Sequence, residues 1–144
     1  MAVNVTYDRV DGNTDLFNLG AQALPEIRVD YSELSAEDRN QEHMGARLLC
    51  MAALACYTNT FANSLTRKGA EIKFMRAHAT TSKDKDEVMR TKYCTLDITV
   101  EVGLDEQFRD AFEEVKDNML NGSLLTYSLE EAMDVDYTIT MVSE

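Results

Sequence analysis

Apolar and polar positions alternate from the start of the chain, with Val3, Val5 and Tyr7 set between Asn4, Thr6 and Asp8. That period of two is the pattern of a half-buried strand, and Asp11-Gly12-Asn13 supplies the turn that closes it. Asp15 to Asn18 returns from the turn, and after Gly20 and Pro25 the run Glu26 to Tyr31 alternates again with Ile27, Val29 and Tyr31 on one face. The first third therefore reads as a small antiparallel meander. Ser35-Ala36-Glu37-Asp38 has the composition of a helix start, but the polar run to Gln41 reads as a solvated loop.

From Arg47 the period changes. Leu48, Leu49, Ala52, Ala53, Leu54, Ala55, Phe61, Ala62 and Leu65 sit among good helix formers until Arg67, Lys68 and Gly69, a natural helix end. The pattern predicts one helix of about six turns. Its middle is apolar nearly all round, so other elements should cover most of it. Glu71 to Ala79 reads as a strand, joined by a charged loop from Thr80 to Arg90 to a second strand from Tyr93 to Val102. In that second strand Cys94, Leu96, Ile98, Val100 and Val102 share the inward parity. Leu104-Asp105 opens another helix, with Phe108, Ala111, Phe112, Val115 and Met119 at helical spacing and an acidic outer face, and it ends at Asn121-Gly122. Ser123 to Ala132 reads as a short helix or turn. Asp134 to Met141 forms a last strand, with Val135, Tyr137, Ile139 and Met141 inward. Helices set apart from a mostly antiparallel sheet define the α+β class, and one domain, 1-144, accounts for the whole chain.

Composition narrows the function. At 144 residues the chain hides roughly two thirds of its unfolded surface on folding, so no staple is needed for a core. Fourteen Lys and Arg against 26 Asp and Glu leave a net charge of -12, which repels nucleic acid and anionic membranes. The N-terminus MAVNVTYDRVDGN has neither the basic nor the apolar segment of a secretory signal, and cysteine occurs in an odd number, so a reduced cytoplasmic protein is expected. Leu48 to Leu65, the longest stretch with few charges, is too polar and slightly too short to be expected to span a bilayer.

Phosphate-binding glycine loops, elbow serines and C-x-x-C pairs are all missing, and His43 and His78 show no zinc-ligand spacing. Cysteine is the remaining chemistry. At about 100° per residue Cys50 shares a helix face with Leu54, Tyr57, Phe61 and Leu65, whereas Cys56 points with Leu49, Ala52, Thr60 and Asn63. Cys50 reads as core filling; Cys56 stands among small and polar neighbours, where a thiolate finds donors and an open cleft. Six helical residues separate the two by roughly 9 Å along the axis, beyond disulfide reach. Cys94 reads as a small buried hydrophobe. On residues alone, a reactive Cys56 and an inert one both stay open.

The segment Gly45-Ala46-Arg47-Leu48-Leu49-Cys50-Met51-Ala52-Ala53-Leu54-Ala55-Cys56-Tyr57-Thr58-Asn59-Thr60 resembles the signature helix of the osmotically induced protein C (OsmC) and organic hydroperoxide resistance family, whose pattern is E-L-L-x-A-A-x-x-A-C. The order of elements is similar over essentially the whole chain. The resemblance implies an OsmC-like fold in an intertwined homodimer, with the long helices central and sites at the subunit boundary. It also implies that Cys56 attacks a hydroperoxide as thiolate and becomes a sulfenic acid, that a second cysteine after the acidic helix resolves it to a disulfide, and that a dithiol reopens the disulfide. No cofactor or metal is expected.

Two departures from the family pattern touch that mechanism. The resolving cysteine of the family falls where this chain reads Asn118-Met119-Leu120, and no cysteine follows Cys94. The glutamate ten residues before the helix cysteine falls on Ala46, so the usual support for an activating arginine is missing. Arg9 and Arg28 remain open as replacements, neither preferred. Two functions follow. One is a one-cysteine hydroperoxide reductase in oxidative stress defence that uses Cys56 and an external thiol or dithiol, with Cys94 as an alternative resolver. The other is a non-catalytic dimer of the same fold that binds a small apolar ligand.

Overall fold

The computed structural model describes Met1 to Ser143. The chain divides into two compact units, Met1–His43 and the residues from Met44 onward.

The first unit is the expected meander. Strands β1 (Thr6–Arg9), β2 (Thr14–Asn18) and β3 (Glu26–Asp30) pair antiparallel in that order. Gly12, at φ +80°, takes the left-handed turn that only a residue without Cβ adopts freely. The first strand begins at Thr6, so Val3 and Val5 lie ahead of the ladder although their alternation points to it. Ser35 to Gln41 corrects the loop reading. Ser35 accepts a hydrogen bond from the Asp38 amide at 3.1 Å and caps a short helix, α1 (Ala36–Gln41). His43, at φ 48°, then stops it in the left-handed conformation.

In the second unit, α2 (Met44–Arg67) is the long helix. β4 (Phe74–Lys85) and β5 (Thr91–Gly103) pair antiparallel, and β6 (Asp134–Val142) joins β5 in parallel. Between them lie a 3-10 turn at Glu106–Phe108, α3 (Arg109–Met119) and α4 (Leu124–Leu129). The charged segment read as a loop from Thr80 is mostly strand. β4 runs on to Lys85, leaving Asp86 to Arg90 as a tight turn whose Asp86 carboxylate accepts from the amides of Val88 (3.0 Å) and Arg90 (2.9 Å). Alternation with lysines looks polar on both faces, which hid the strand from a hydrophobic pattern. Asp86→Ala is expected to accelerate amide exchange across the turn and its flanking strand ends, read by hydrogen-exchange mass spectrometry. Global stability should change by only about 1 kcal/mol.

The core lies where α2 and α3 cover the inner face of the β4-β5-β6 sheet. Leu96, Ile98, Val100 and Val102 point inward from β5 and meet Ala53, Tyr57, Phe61 and Leu65 of α2 and Phe112, Val115 and Met119 of α3. Tyr57 stacks on Tyr137 at 5.0 Å between centroids, and Phe61 bridges to Phe112 at 6.3 Å. Gly103 is required by close packing, because a Cβ there would stand 2.3 Å from the Phe74 ring. Burying a phenol requires a partner for its hydroxyl, and Tyr57 donates to the Met119 carbonyl at 2.7 Å. Burial raises its pKa, with Tyr137 adding to the shift, so the donor stays protonated at every physiological pH. The same carbonyl accepts from the Gly122 amide at 3.0 Å, so Tyr57→Phe should cost only about 1 kcal/mol in urea denaturation.

Most of α2 is not covered. Within this chain only the Ala53, Tyr57, Phe61 and Leu65 stripe is fully buried; Ala52 and Ala55 are exposed and Met51 is 46% exposed. By length and composition the stretch Ala36–Arg67 suffices to cross a membrane, against the expectation from the polar residues of Leu48 to Leu65. Its buried stripe packs on the sheet and helices of its own unit, as in a core helix.

Candidate functional site around Cys56

Cys56 sits in the middle of α2, one residue before Tyr57, the side chain that ties α2 to the end of α3. The local helix is held against its polar side chains by using them: Thr58 donates to the Leu54 carbonyl at 2.7 Å, and Thr60 to the Cys56 carbonyl at 3.0 Å. The Cys56 thiol is half-buried and outside the packed core, whereas Cys50 is half-buried but packs against it. The face assignment made from helical periodicity therefore matches the structure for both residues. All three cysteines are free.

Cys94 departs from its expected place. The ladder pairs Ser82 with Thr95 and then Lys83 with Tyr93, so Cys94 is the extra residue of a β-bulge. The bulge breaks the inward parity that Leu96 to Val102 keep. Cys94 is half-buried, its sulfur near the carbonyls of Lys92 (3.5 Å) and Asp84 (3.9 Å). Period-two counting from the core strand has no means of detecting an inserted residue.

Electrostatics on α2 itself offer a thiolate little help. No ionisable side chain other than the thiols and Tyr57 stands between Arg47 and Arg67, and a position in mid-helix is remote from the positive end of the helix dipole. A cation for Cys56 must come from another element. Both open candidates lie in the first unit with carboxylate partners of their own. Arg9 holds Asp15 at 3.0 Å and Arg28 lies 3.8 Å from Glu26. Tyr7 donates to the same Asp15 oxygen at 2.7 Å, and the bonds from Arg9 and Tyr7 hold this carboxyl below its ordinary range. The stabilisation from this group is present above the usual carboxylate pKa and fades as pH falls through the lowered value. Arg39 adds a further cation, donating to Asn13 and to the Tyr31 carbonyl and lying over the Tyr31 ring at 5.6 Å. This cluster went unseen in the sequence, because its members are scattered over 33 positions and only the hairpin register brings Arg9 opposite Asp15.

At position 119, where the family pattern places its resolving cysteine, Met119 is buried core, 3% exposed. No three His, Cys, Asp or Glu side chains among the described residues cluster as metal ligands.

No family model and no curated protein matches the chain. Solved structures do, along nearly its full length. An OsmC-like protein from Mycoplasma pneumoniae superposes with a TM-score of 0.72 at 12% identity, covering 99% of this chain and 98% of that one. A hypothetical protein from Aquifex aeolicus gives 0.70 at 13% identity over 100% and 98%. An organic hydroperoxide resistance protein of Bacillus subtilis gives 0.56 at 13% identity over 99% and 98%. The chain has the α+β fold of the OsmC-like and organic hydroperoxide resistance proteins.

Proposed function

We propose that the protein acts in peroxide stress defence as a thiol-dependent hydroperoxide reductase, with Cys56 as its nucleophile. The observation that carries this reading is the placement of Cys56 in the central helix of this fold, half-buried on a flank that the chain's own core leaves free. The Cys56 thiolate attacks the terminal oxygen of the hydroperoxide. The O–O bond breaks, an S–O bond forms, and the departing alkoxide takes a proton to leave as alcohol. An external thiol then attacks the sulfenic acid sulfur and releases water, and a second thiol reduces the mixed disulfide. The external reductant replaces a resolving cysteine, because position 119 is a buried methionine. The reducing cytoplasm supplies such thiols and keeps the three free cysteines reduced.

The reading takes the chain as one OsmC-like domain, 1-144, working as a homodimer. Two observations support a second copy. No hydrophobic residue of Met1–His43 is fully buried, while Val3 (78%), Val5 (54%), Tyr7 (50%) and Val10 (51%) are exposed. The apolar face of α2 around Met51, Ala52 and Ala55 is likewise uncovered.

Intact mass after a stoichiometric pulse of organic hydroperoxide tests the mechanism. A gain of one oxygen, reversed by dithiol, is expected. A loss of two hydrogens would mean that Cys94 resolves Cys56. An unchanged mass would overturn the enzyme and favour the second reading, a dimer that binds a small apolar ligand, which the lack of charge around Cys56 on α2 supports.

A further inference from the structure

The β4-β5 hairpin outgrows its sheet. β6 starts at Asp134 opposite Thr95, so the strands beyond the Cys94 bulge, Lys83 to Lys85 and Thr91 to Tyr93, form a bare two-stranded arm. Its tip exposes Val88 (73%) and Met89 (69%), and Met89 is held at φ 63°, a conformation that β-turns normally give to glycine. An isolated two-stranded arm is marginal in water, and a strained apolar tip gains nothing from facing solvent.

Charge says what fits it. The arm holds four of the chain's 14 basic residues, Lys83, Lys85, Arg90 and Lys92, all exposed, against Asp84, Asp86 and Glu87. In a molecule of net charge -12 the arm comes out at +1, and one of its three acids, Asp86, turns its carboxylate back onto the amides of Val88 and Arg90. The same chain carries a complementary surface at the corner between α3 and α4. There Leu120 (45%), Leu124 (80%) and Tyr127 (69%) stand exposed together with the carboxylates of Asp117, Glu130 and Glu131. Lys116 is the last cation in the sequence; residues 117–144 contain six acids and no Lys or Arg. The corner is locked in shape: Gly122 turns at φ +85°, a Cβ there would stand 2.7 Å from the Tyr137 hydroxyl, and the capping box of Ser123 and Thr126 starts α4.

We propose that the arm tip docks on the α3-α4 corner of a second copy of this chain, Val88 and Met89 against Leu120, Leu124 and Tyr127, with Lys85, Arg90 and Lys92 facing Asp117, Glu130 and Glu131. The inference rests on the homodimer reading and adds the contact that orients the two copies. In a two-fold dimer the contact is made twice, so each charge pair counts double.

Sedimentation equilibrium of the full chain tests it. Reversing the arm in the triple variant Lys85→Glu, Arg90→Glu, Lys92→Glu is expected to raise the dimer Kd at least tenfold. Adding Asp117→Lys and Glu131→Lys to that variant should restore most of the loss. Should the triple variant fail to fold by circular dichroism, Val88→Ser and the salt dependence of the wild-type Kd report on the same contact: both should weaken the dimer. A wild-type dimer indifferent to the arm changes overturns the docking and leaves the homodimer standing. A wild-type chain that sediments only as monomer overturns both. Binding to phosphatidylserine vesicles that is lost in the triple variant while the dimer is unchanged would assign the arm to lipid and also overturn the proposal.

Discussion

Cys56→Ser is expected to reduce dithiol-coupled consumption of organic hydroperoxide to background, a loss of at least about 10³-fold, as removal of a catalytic nucleophile generally does. A serine hydroxyl is not appreciably ionised at neutral pH and does not accept oxygen from a peroxide, so no residual route runs through the same atom. Cys50→Ser and Cys94→Ser should keep most of the activity. Cys50 packs against the core, and Cys94 lies on a β-bulge with carbonyl oxygens of Lys92 and Asp84 as its sulfur's nearest polar partners. Because the Cys56 side chain lies outside the packed core, the substitution should leave the melting temperature nearly unchanged, which separates a chemical from a structural loss. Consumption by the serine variant at the wild-type rate would mean that Cys56 is inert and the fold serves binding.

Phe61→Ala should destabilise the second unit by about 3–5 kcal/mol, a large fraction of the 5–15 kcal/mol typical of a whole domain. Phe61 is fully buried on α2 between Tyr57, at 6.3 Å and nearly edge-on, and Phe112 of α3. Truncation loses the transfer free energy of the ring and leaves a cavity that the stacked Tyr57–Tyr137 pair cannot fill, since its hydroxyl bond to Met119 fixes Tyr57 in place. Urea denaturation at fixed protein concentration measures the change, the concentration being held because a dimer adds its own stabilisation. Ser128→Ala, on the exposed side of α4, should stay within about 1 kcal/mol. A cost for Phe61→Ala no larger than that would place the core elsewhere.

Much of this architecture is legible in the residues because one-sided burial imposes a period. The alternation of Leu96, Ile98, Val100 and Val102, and the helical spacing of Phe112, Val115 and Met119, each mark a face that the structure buries. Glycines at 69 and 122 mark helix ends by taking positive φ. Pattern is silent where burial is absent. The charged strand end Thr80 to Lys85 has no apolar face to read, and Ser35 to Gln41 is a helix fixed by a side-chain cap with no buried residue. The bulge at Cys94 is of another kind, set by strand register.

What the sequence by itself determined is the α+β order of elements, the opposite faces of Cys50 and Cys56, and the absence of any cysteine after Cys94. These follow from covalent order and from the periods of 3.6 and 2. Only the tertiary structure decided that Met119 is core with its carbonyl tied to Tyr57, that Arg9 meets Asp15, and that the Val88–Met89 tip stands clear of its own sheet. Each of those depends on which distant residues come within a few ångströms, a property of register and packing that local pattern does not encode.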